Sequence, residues 1–444
     1  MKILEKKKKP LALLPLLIFL GLFLGAGIYY NAIGTEMAFY QLPAPIAAFA
    51  GIIVAFFIGK ETIDDKMNIF IKGVGNSDII TMVMIYLLAG GFSAVAGAMG
   101  AVDSTVNFGL SVIPKSLILP GIFVISAFIA TAMGTSVGTI AAVVPIAVGI
   151  ANKIDLSLAI AAGAVVGGAL FGDNLSMISD TTIAATRTQG AQMKDKFIMN
   201  FKLAIPAVVI TVIILFINGT SGIIPTNLKY DFIKIIPYLA VLILALIGMN
   251  VFIVLTIGIL SAGIIGIVGE SFTVLEFAQT VYQGFGSMQE ISILSLLIGG
   301  LAAMMAEQGG IHYLLSFINK FIKSKKGAEL GIGTLVSIAD ICTANNTVAI
   351  VVAGPMAKDI SQEHGIDPKR AASLLDIFSC VFQGIIPYGA QLLNAGSIAG
   401  ISPIEIMPYL YYPYLLGIVV LIAIWFEIPK EERQDKKINI QNEL

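Results

Sequence analysis

Residues 172–182 of this 444-residue chain read GDNLSMISDTT, with two aspartates, two serines, two threonines and an asparagine in eleven positions. The preceding residues, 156–171, read LSLAIAAGAVVGGALF and are apolar enough to lie in the middle of a lipid bilayer. A polar stretch directly after such a helix predicts either a loop at the membrane surface or a break in a buried helix. The choice between these two decides the fold.

The composition is that of a membrane protein. The chain is 57% hydrophobic and only 12% charged, unlike ordinary soluble domains. Apolar windows of the length needed to cross a bilayer recur along nearly the whole sequence, so we predict an all-α polytopic membrane protein with about 11–12 transmembrane segments. The net charge of −1 creates no field that would attract nucleic acid. Two cysteines, Cys342 and Cys380, are too few for a disulfide framework or a cysteine metal site.

The charged ends of the chain predict its orientation. Lysines crowd residues 1–9, and Arg433, Lys436 and Lys437 lie near the other end. Because positive residues favour the cytoplasmic side, we expect both termini in the cytoplasm and the chain in the cytoplasmic (inner) membrane as a multi-pass protein. The first apolar run, 11–30, exceeds the length of a signal-peptide core, so it is interpreted as an uncleaved first span.

An internal repeat is visible when the sequence is aligned with itself. LLAGGFSAVAGAMGAV (87–102) aligns with LLIGGLAAMMAEQGGI (296–311) at an offset of 209, and TSVGTIAAVVPIA (135–147) aligns with NNTVAIVVAGPMA (345–357) at 210. At an offset of 212, Gly172 lies over Gly384. Three alignments in order at nearly constant offset predict two homologous halves.

The loop charges predict that these halves are inverted. Residues 102–117 carry one lysine, whereas the equivalent 312–327 carry four, which places the two loops on opposite sides. Inverted repeats with broken helices are typical of secondary transporters. We expect an N-terminal two-helix extension with a cytoplasmic loop (1–78), a first transport repeat (79–202), linking helices (203–288), a second transport repeat (289–427) and a charged cytoplasmic tail (428–444).

Four polar stretches are candidate helix breaks or re-entrant hairpin tips: MGTSVGT (133–139), GDNLSMISDTT (172–182), CTANNT (342–347) and QGIIPYGAQLLNAGS (383–397). Their hydroxyl, amide and carboxylate oxygens are the ligands that hard cations prefer. Asp173 and Asp180 supply the only carboxylates in these stretches. If the helix continues, Asp173, Ser176 and Asp180 fall on one face. A buried ionisable residue in a span is costly, so these residues are functional candidates.

The candidate residues fall into three groups. For coupling to a cation or a proton we predict Asp173, Asp180, Ser176, Ser179, Asn174 and Thr181. For substrate binding we predict Thr135, Ser136, Asn345, Asn346, Thr347, Gln383, Gln391, Asn394 and Asp376. For a bound Na+ we predict Asp173, Asp180 and Asn346.

Structural alternatives exist for several of these residues. Residues 172–182 could be a surface loop in which Asp180 or Ser179 caps the following helix. The polar side chains of 345–347 could instead make hydrogen bonds between packed helices. Asp376 could bind a substrate ammonium group or pair with Arg370 or Lys369.

The stretch GDNLSMISDTT resembles the G-D-x-x-S-x-x-S-D-T-T signature of the NhaC-like sodium/proton antiporter family, and the resemblance extends from about residue 80 onward. IAATRTQGAQ (183–192) and the two-helix extension resemble its YuiF-related branch, whose members are proposed amino acid transporters. The resemblance implies the ion transporter superfamily, with inverted repeats, re-entrant hairpins and sites at Ser-Asn-Thr-like tips. Here the tips are Thr135-Ser136 and Asn345-Asn346-Thr347, and neither is an intact Ser-Asn-Thr.

Together these features predict a secondary transporter coupled to Na+ or H+ that carries an amino acid or a similar small solute. The alternatives are a Na+/H+ antiporter without organic cargo, an ion channel, and an intramembrane protease using Ser221 of GTSG (219–222). We expect no enzymatic activity and no cofactor beyond the coupling Na+ or H+. The expected partners are a small-molecule or ion substrate and the lipid bilayer, with no nucleic acid and with a homodimer as the candidate assembly.

Overall fold

The structure, a computed structural model, describes residues 10–35, 41–177, 179–219, 228–247, 249–319 and 322–429. Within these ranges the chain is helical and contains no strand. The helices before residue 220 are α1 (Leu14–Ala32), α2 (Ala44–Phe57), α3 (Ile63–Val74), α4 (Ser77–Ala98), α5 (Ala101–Val112), α6 (Ile118–Met133), α7 (Ser136–Ile154), α8 (Leu158–Leu175), α9 (Asp180–Gln189) and α10 (Met193–Asn218).

The second half repeats this order. Its helices are α11 (Phe232–Leu246), α12 (Val251–Val268), α13 (Val274–Ser287), α14 (Gln289–Glu307), α15 (Gly310–Asn319), α16 (Lys325–Thr343), α17 (Asn346–Glu363), α18 (Pro368–Ile385), α19 (Ala390–Ala399), α20 (Pro403–Ile406) and α21 (Tyr411–Trp425).

Many of these helices are long and apolar enough to cross a membrane. Among the described residues nine such spans are found, and the bent pair Pro403–Tyr409 and Tyr411–Trp425 would be a tenth. Two shorter apolar helices, Ala44–Phe57 and Phe232–Leu244, add to these. The all-α polytopic class is therefore confirmed. The first of the linking helices expected from residue 203 begins ten residues earlier, at Met193, because polar residues in the first turns of α10 obscure its start in the sequence.

The repeat has a uniform offset through its central part. α8 ends at Leu175 and α18 at Ile385, while α9 begins at Asp180 and α19 at Ala390, so equivalent bounds differ by 210. The offset of 212 that placed Gly172 over Gly384 is therefore wrong. The match of Gly172 with Gly384 favoured that alignment, whereas the helix ends place Asp173 over Gln383.

Helix packing shows reciprocal contacts between the two halves. α3 packs against α14, and the equivalent helix α13 packs against α4. In the same way, α2 contacts α14 and α12 contacts α4. Such reciprocal contacts are what a two-fold axis produces. α12 and α13, which lie between residues 203 and 288, thus take part in reciprocal contacts with the repeats, and the division of the chain into repeats and linking helices stays a prediction from sequence. The lysine distribution supports an axis in the membrane plane, which is the inverted arrangement.

Glycines on α8 allow it to pack closely on α6. A Cβ atom added at Gly168 would overlap the backbone oxygen of Phe123, and one added at Gly172 would overlap that of Ala127. Small residues four positions apart permit such close approach of membrane helices. Gly172, the first residue of the opening stretch, therefore allows α8 to pack closely on α6.

We expect Gly172→Ala to destabilise the protein. The added methyl group would force α6 and α8 apart, and overpacking of this kind costs about 1–3 kcal/mol. Thermal unfolding of the detergent-purified variant measures the loss. Gly121→Ala is the matched control, because a Cβ at Gly121 on α6 meets no atom within 4 Å. Equal stability of the two variants would contradict this account of the α6–α8 contact.

Candidate functional site

The opening stretch is a break between two helices. α8 ends at Leu175, and α9 begins at Asp180 with Ser179 as its N-cap, accepting from the backbone N–H of Thr182 at 3.4 Å. Ser176 Oγ donates to Thr131 O at 2.9 Å, and both Ser176 and Ser179 are buried. The helix does not continue, so the condition under which Asp173, Ser176 and Asp180 would share one face is not met. The capping role considered for Ser179 is confirmed.

The two halves form equivalent hairpin tips. Gly134 and Ala344 both adopt left-handed backbone angles, with φ of 71° and 49°, and end α6 and α16. The next residues, Thr135 and Asn345, cap α7 and α17 by accepting hydrogen bonds from the backbone N–H three positions later. A side-chain cap of this type satisfies one of the free N–H groups at a helix start. The sequence thus builds both tips in the same way, with different residues.

Both tips and both helix breaks open onto one cavity. It comprises about 550 Å³ of space between protein atoms, including its open side. Ten of the predicted site residues line it: Thr135, Ser136, Asp173, Asp180, Thr181, Asn345, Asn346, Thr347, Gln383 and Gln391. The three residues predicted for Na+ are all among them. The structure therefore brings together residues that lie up to 256 positions apart, from Thr135 to Gln391.

Asp173 anchors a hydrogen-bond chain that crosses this cavity. Its Oδ2 accepts from Ser136 Oγ at 2.8 Å and from the Ser136 backbone N–H at 3.3 Å. Gln391 Nε2 donates to the same Ser136 Oγ at 3.0 Å, and Gln383 Nε2 donates to Gln391 Oε1 at 2.9 Å. The chain joins the charged residue of the first half to the neutral amides of the second.

Four helix N-termini meet at the cavity. Ser136, Asp180, Asn346 and Ala390 are the first residues of α7, α9, α17 and α19, and all four line it. A helix start carries partial positive charge and free N–H groups, so it attracts anions. The cavity thus combines positive helix ends with the carboxylates of Asp173 and Asp180. Such a site suits a ligand that carries both a negative and a positive group, or an anion together with a cation.

A second polar cluster lies behind the break, around a lysine that sequence reasoning missed. Lys196 Nζ on α10 is fully buried and lies 2.7 Å from Asp376 Oδ2, and it also donates to Asn174 O at 2.8 Å and to Thr182 Oγ1 at 2.7 Å. Asn200, one turn later, donates to Asp376 Oδ2 at 2.8 Å. Lys196 therefore stabilises both Asp376 and the backbone freed by the break.

This cluster corrects the ion pairs expected from sequence. Arg370 pairs with Glu329 at 2.9 Å, and Lys369 lies 3.4 Å from Asp367, so neither pairs with Asp376. The true partner, Lys196, begins a long span and looked like an interfacial charge. The available signal was the spacing of Lys196 and Asn200, which lie four residues apart on one helix face.

Five predicted residues do not line the cavity: Asn174, Ser176, Ser179, Asn394 and Asp376. Asn174 contacts Asn200, and Asn394 Nδ2 donates to Val137 O at 3.1 Å. These side chains therefore hold neighbouring helices together outside the cavity. Conversely, Thr81, Met82 and Ile85 of α4 line the cavity without having been predicted. An ordinary apolar span gives no sequence signal that one of its faces lines a site.

The fold and site can now be compared with known proteins. A model of the Na+/H+ antiporter family matches residues 5–220 and 223–428. The chain belongs to the Na+/H+ antiporter family. The family resemblance of the opening stretch is thus confirmed, and the two matched ranges correspond to the two halves of the fold.

Several relatives of this antiporter family member are similar over most of their length. The malate-2H+/Na+-lactate antiporter of Bacillus subtilis is 23% identical, over 93% of this chain and 96% of the relative. The Na+/H+ antiporter NhaC of the same organism is 26% identical, over 78% and 83%. The arginine/ornithine antiporter ArcD of Halobacterium salinarum is 23% identical, over 89% of each chain. A multi-pass membrane transporter is therefore the class of this protein.

Proposed function

We propose that this antiporter family member couples Na+ or H+ movement to the transport of a small solute with a carboxylate group, an amino acid being the first candidate. The observation that carries this proposal is the convergence of four helix N-termini on a cavity that also contains Asp173 and Asp180. The helix ends would bind the carboxylate of the solute. Broken helices serve substrate carboxylates and coupling ions in this way in secondary transporters.

Asp173 is the proposed coupling residue. In the described part of the chain no lysine or arginine forms an ion pair with it, whereas Asp376 is neutralised by Lys196. A carboxylate in a buried cavity without a fixed counter-ion needs a mobile one. Na+ and H+ would compete for this position, which is the simplest means of exchanging one for the other. Asp180, which is more exposed, would contribute at the open side of the cavity.

The names of two relatives support a cargo with a carboxylate group. The names of the two organic-solute antiporters specify carboxylates, malate with lactate in one and arginine with ornithine in the other. A Na+/H+ antiporter without organic cargo is the second candidate. The similarity to NhaC favours it, and the Asp173 carboxylate by itself would suffice for exchange of Na+ for H+.

The protease alternative rests on Ser221, which lies outside the described residues. Assignment to the YuiF-related branch, residence in the cytoplasmic membrane and cytoplasmic termini remain predictions from sequence.

Transport assays with purified protein in liposomes test the cargo. We expect at least one amino acid to be accumulated, and its uptake to collapse when the Na+ and H+ gradients are removed together. A panel of amino acids and small hydroxy acids, each with a Na+ gradient, a H+ gradient or neither, identifies solute and coupling ion. Na+/H+ exchange that no solute on the panel stimulates or inhibits would favour the second candidate. Absence of any gradient-dependent flux would contradict both.

A further inference from the structure

A buried carboxyl group lies behind the tip of the second hairpin. Asp340 is on α16, four residues before the left-handed residue Ala344, and its side chain is fully buried. In the described part of the chain, neither of its carboxyl oxygens has a hydrogen-bond partner. An ionised carboxylate in such surroundings is strongly unfavourable, because burial removes its hydration and no lysine or arginine of the described residues pairs with it. Asp340 must therefore hold a proton or another cation.

The surroundings of Asp340 fit a proton. α16 packs against α14, α15, α17, α18 and α21, and titratable groups near Asp340 are Cys342 of its own helix and Tyr388, between α18 and α19. The hydroxyl of Tyr388 is already committed, donating to Ile341 O at 2.8 Å. A hard cation such as Na+ needs several oxygen ligands, and Asp340 does not line the cavity that supplies them. A proton needs no such shell.

Asp340 is also next to the polar chain that reaches Asp173. The backbone of Gln383 lies next to the Asp340 carboxyl group. The side chain of Gln383 donates to Ala344 O at 3.2 Å and to Gln391, which continues through Ser136 to Asp173. The buried Oε1 of Gln383 has no partner in the described residues. A shift of the second tip would thus change the surroundings of both carboxyl groups together.

We propose that Asp340 is a second proton-binding site, linked to the cation site at Asp173 through Gln383, Gln391 and Ser136. This deepens the proposed function and rests on it for the transport step. When movement of the second tip brings water to Asp340, its O–H bond breaks and the proton leaves into that water. In the alternate conformation, in which the site opens to the other side of the membrane, the carboxylate of Asp340 takes up a proton from that side. Each cycle then moves one more proton than Asp173 alone would carry.

Infrared spectroscopy tests the protonation directly, whatever the cargo. A neutral carboxyl group has a carbonyl stretching band separate from that of a carboxylate, and labelling of aspartate with carbon-13 shifts it. We expect Asp340→Asn to remove one such band at neutral pH. Asp359→Asn, an exposed aspartate on the adjacent α17, should remove none. A wild-type spectrum without a protonated aspartate, or one unchanged in Asp340→Asn, would overturn the proposal.

The number of protons moved per Na+ tests the transport role. In liposomes, the gradients at which net exchange reverses give this ratio, and we expect Asp340→Asn to exchange one proton fewer than the wild type. Na+ binding itself should persist, because the Asp173 carboxylate is intact. An unaltered ratio in folded Asp340→Asn would overturn the transport role of Asp340. If the wild type shows no transport driven by a Na+ or a H+ gradient, the proposed function fails, while the infrared result still decides the protonation of Asp340.

Discussion

Asp173→Asn is expected to abolish Na+-coupled transport. The asparagine keeps the shape of the side chain and can still accept the hydrogen bonds from Ser136, but it removes the negative charge that binds the cation. Loss of one partner of a buried charged contact costs about 2–5 kcal/mol. Because each 1.4 kcal/mol is tenfold, Na+ affinity should fall at least about 30-fold. Na+-dependent flux and Na+ binding, measured on the same preparation, report this loss.

Two comparisons make this result specific. Asp195→Asn changes an exposed aspartate at the start of α10 and should leave the Na+ dependence unchanged. Asp173→Glu keeps the charge and should retain part of the coupling with altered affinity. Folded Asp173→Asn protein with the Na+ and pH dependence of the wild type would refute the role given to Asp173.

Lys196→Met is expected to have the largest effect on stability. The methionine nearly matches the lysine in length but leaves Asp376 buried without its counter-charge, and removal of one partner of a buried ion pair costs about 3–5 kcal/mol. It also deprives Asn174 O of its ammonium donor, so the break between α8 and α9 should loosen. We expect a large fall in the unfolding temperature of the purified protein and a lower yield.

The double variant Lys196→Met with Asp376→Leu separates charge from shape. Replacement of both charges by apolar side chains removes the uncompensated carboxylate, so much of the lost stability should return. Lys194→Met, which changes an exposed lysine on the same turn, is the control and should behave as the wild type. A double variant no more stable than Lys196→Met would show that the ion pair is not what stabilises this region.

The sequence was sufficient to locate the helix breaks because backbone chemistry marks them. Gly134 before Thr135, and Asn345 after Ala344, combine left-handed angles with capping side chains. Clusters of hydroxyl and amide side chains are uncommon inside apolar helices, so the recurrence of such clusters in both halves marks the breaks. The cavity residues that could be predicted are those at these four breaks.

Other parts of the structure have no comparable signal. The reciprocal packing of α2 and α3 on α14, and of α12 and α13 on α4, has no signal in the sequence because apolar helices of similar composition align equally well at many offsets. Lys196 was missed because burial of a lysine depends on a partner, Asp376, that is 180 positions away. The cavity face of α4 was missed because Met82 and Ile85 are ordinary residues for a span. In each case tertiary contacts, which a single sequence does not contain, decide the role.

The position of the bound cation tests the central claim most directly. Tl+ replaces small monovalent cations and scatters X-rays anomalously, so crystals soaked in a Tl+ salt would show where the coupling ion binds. We predict a peak in the cavity at the carboxylate of Asp173, between Ser136 and the second hairpin tip at Asn345 and Asn346. Excess Na+ should displace it, and Asp173→Asn should eliminate it. A peak outside this cavity, or one that persists unchanged in Asp173→Asn, would contradict the account.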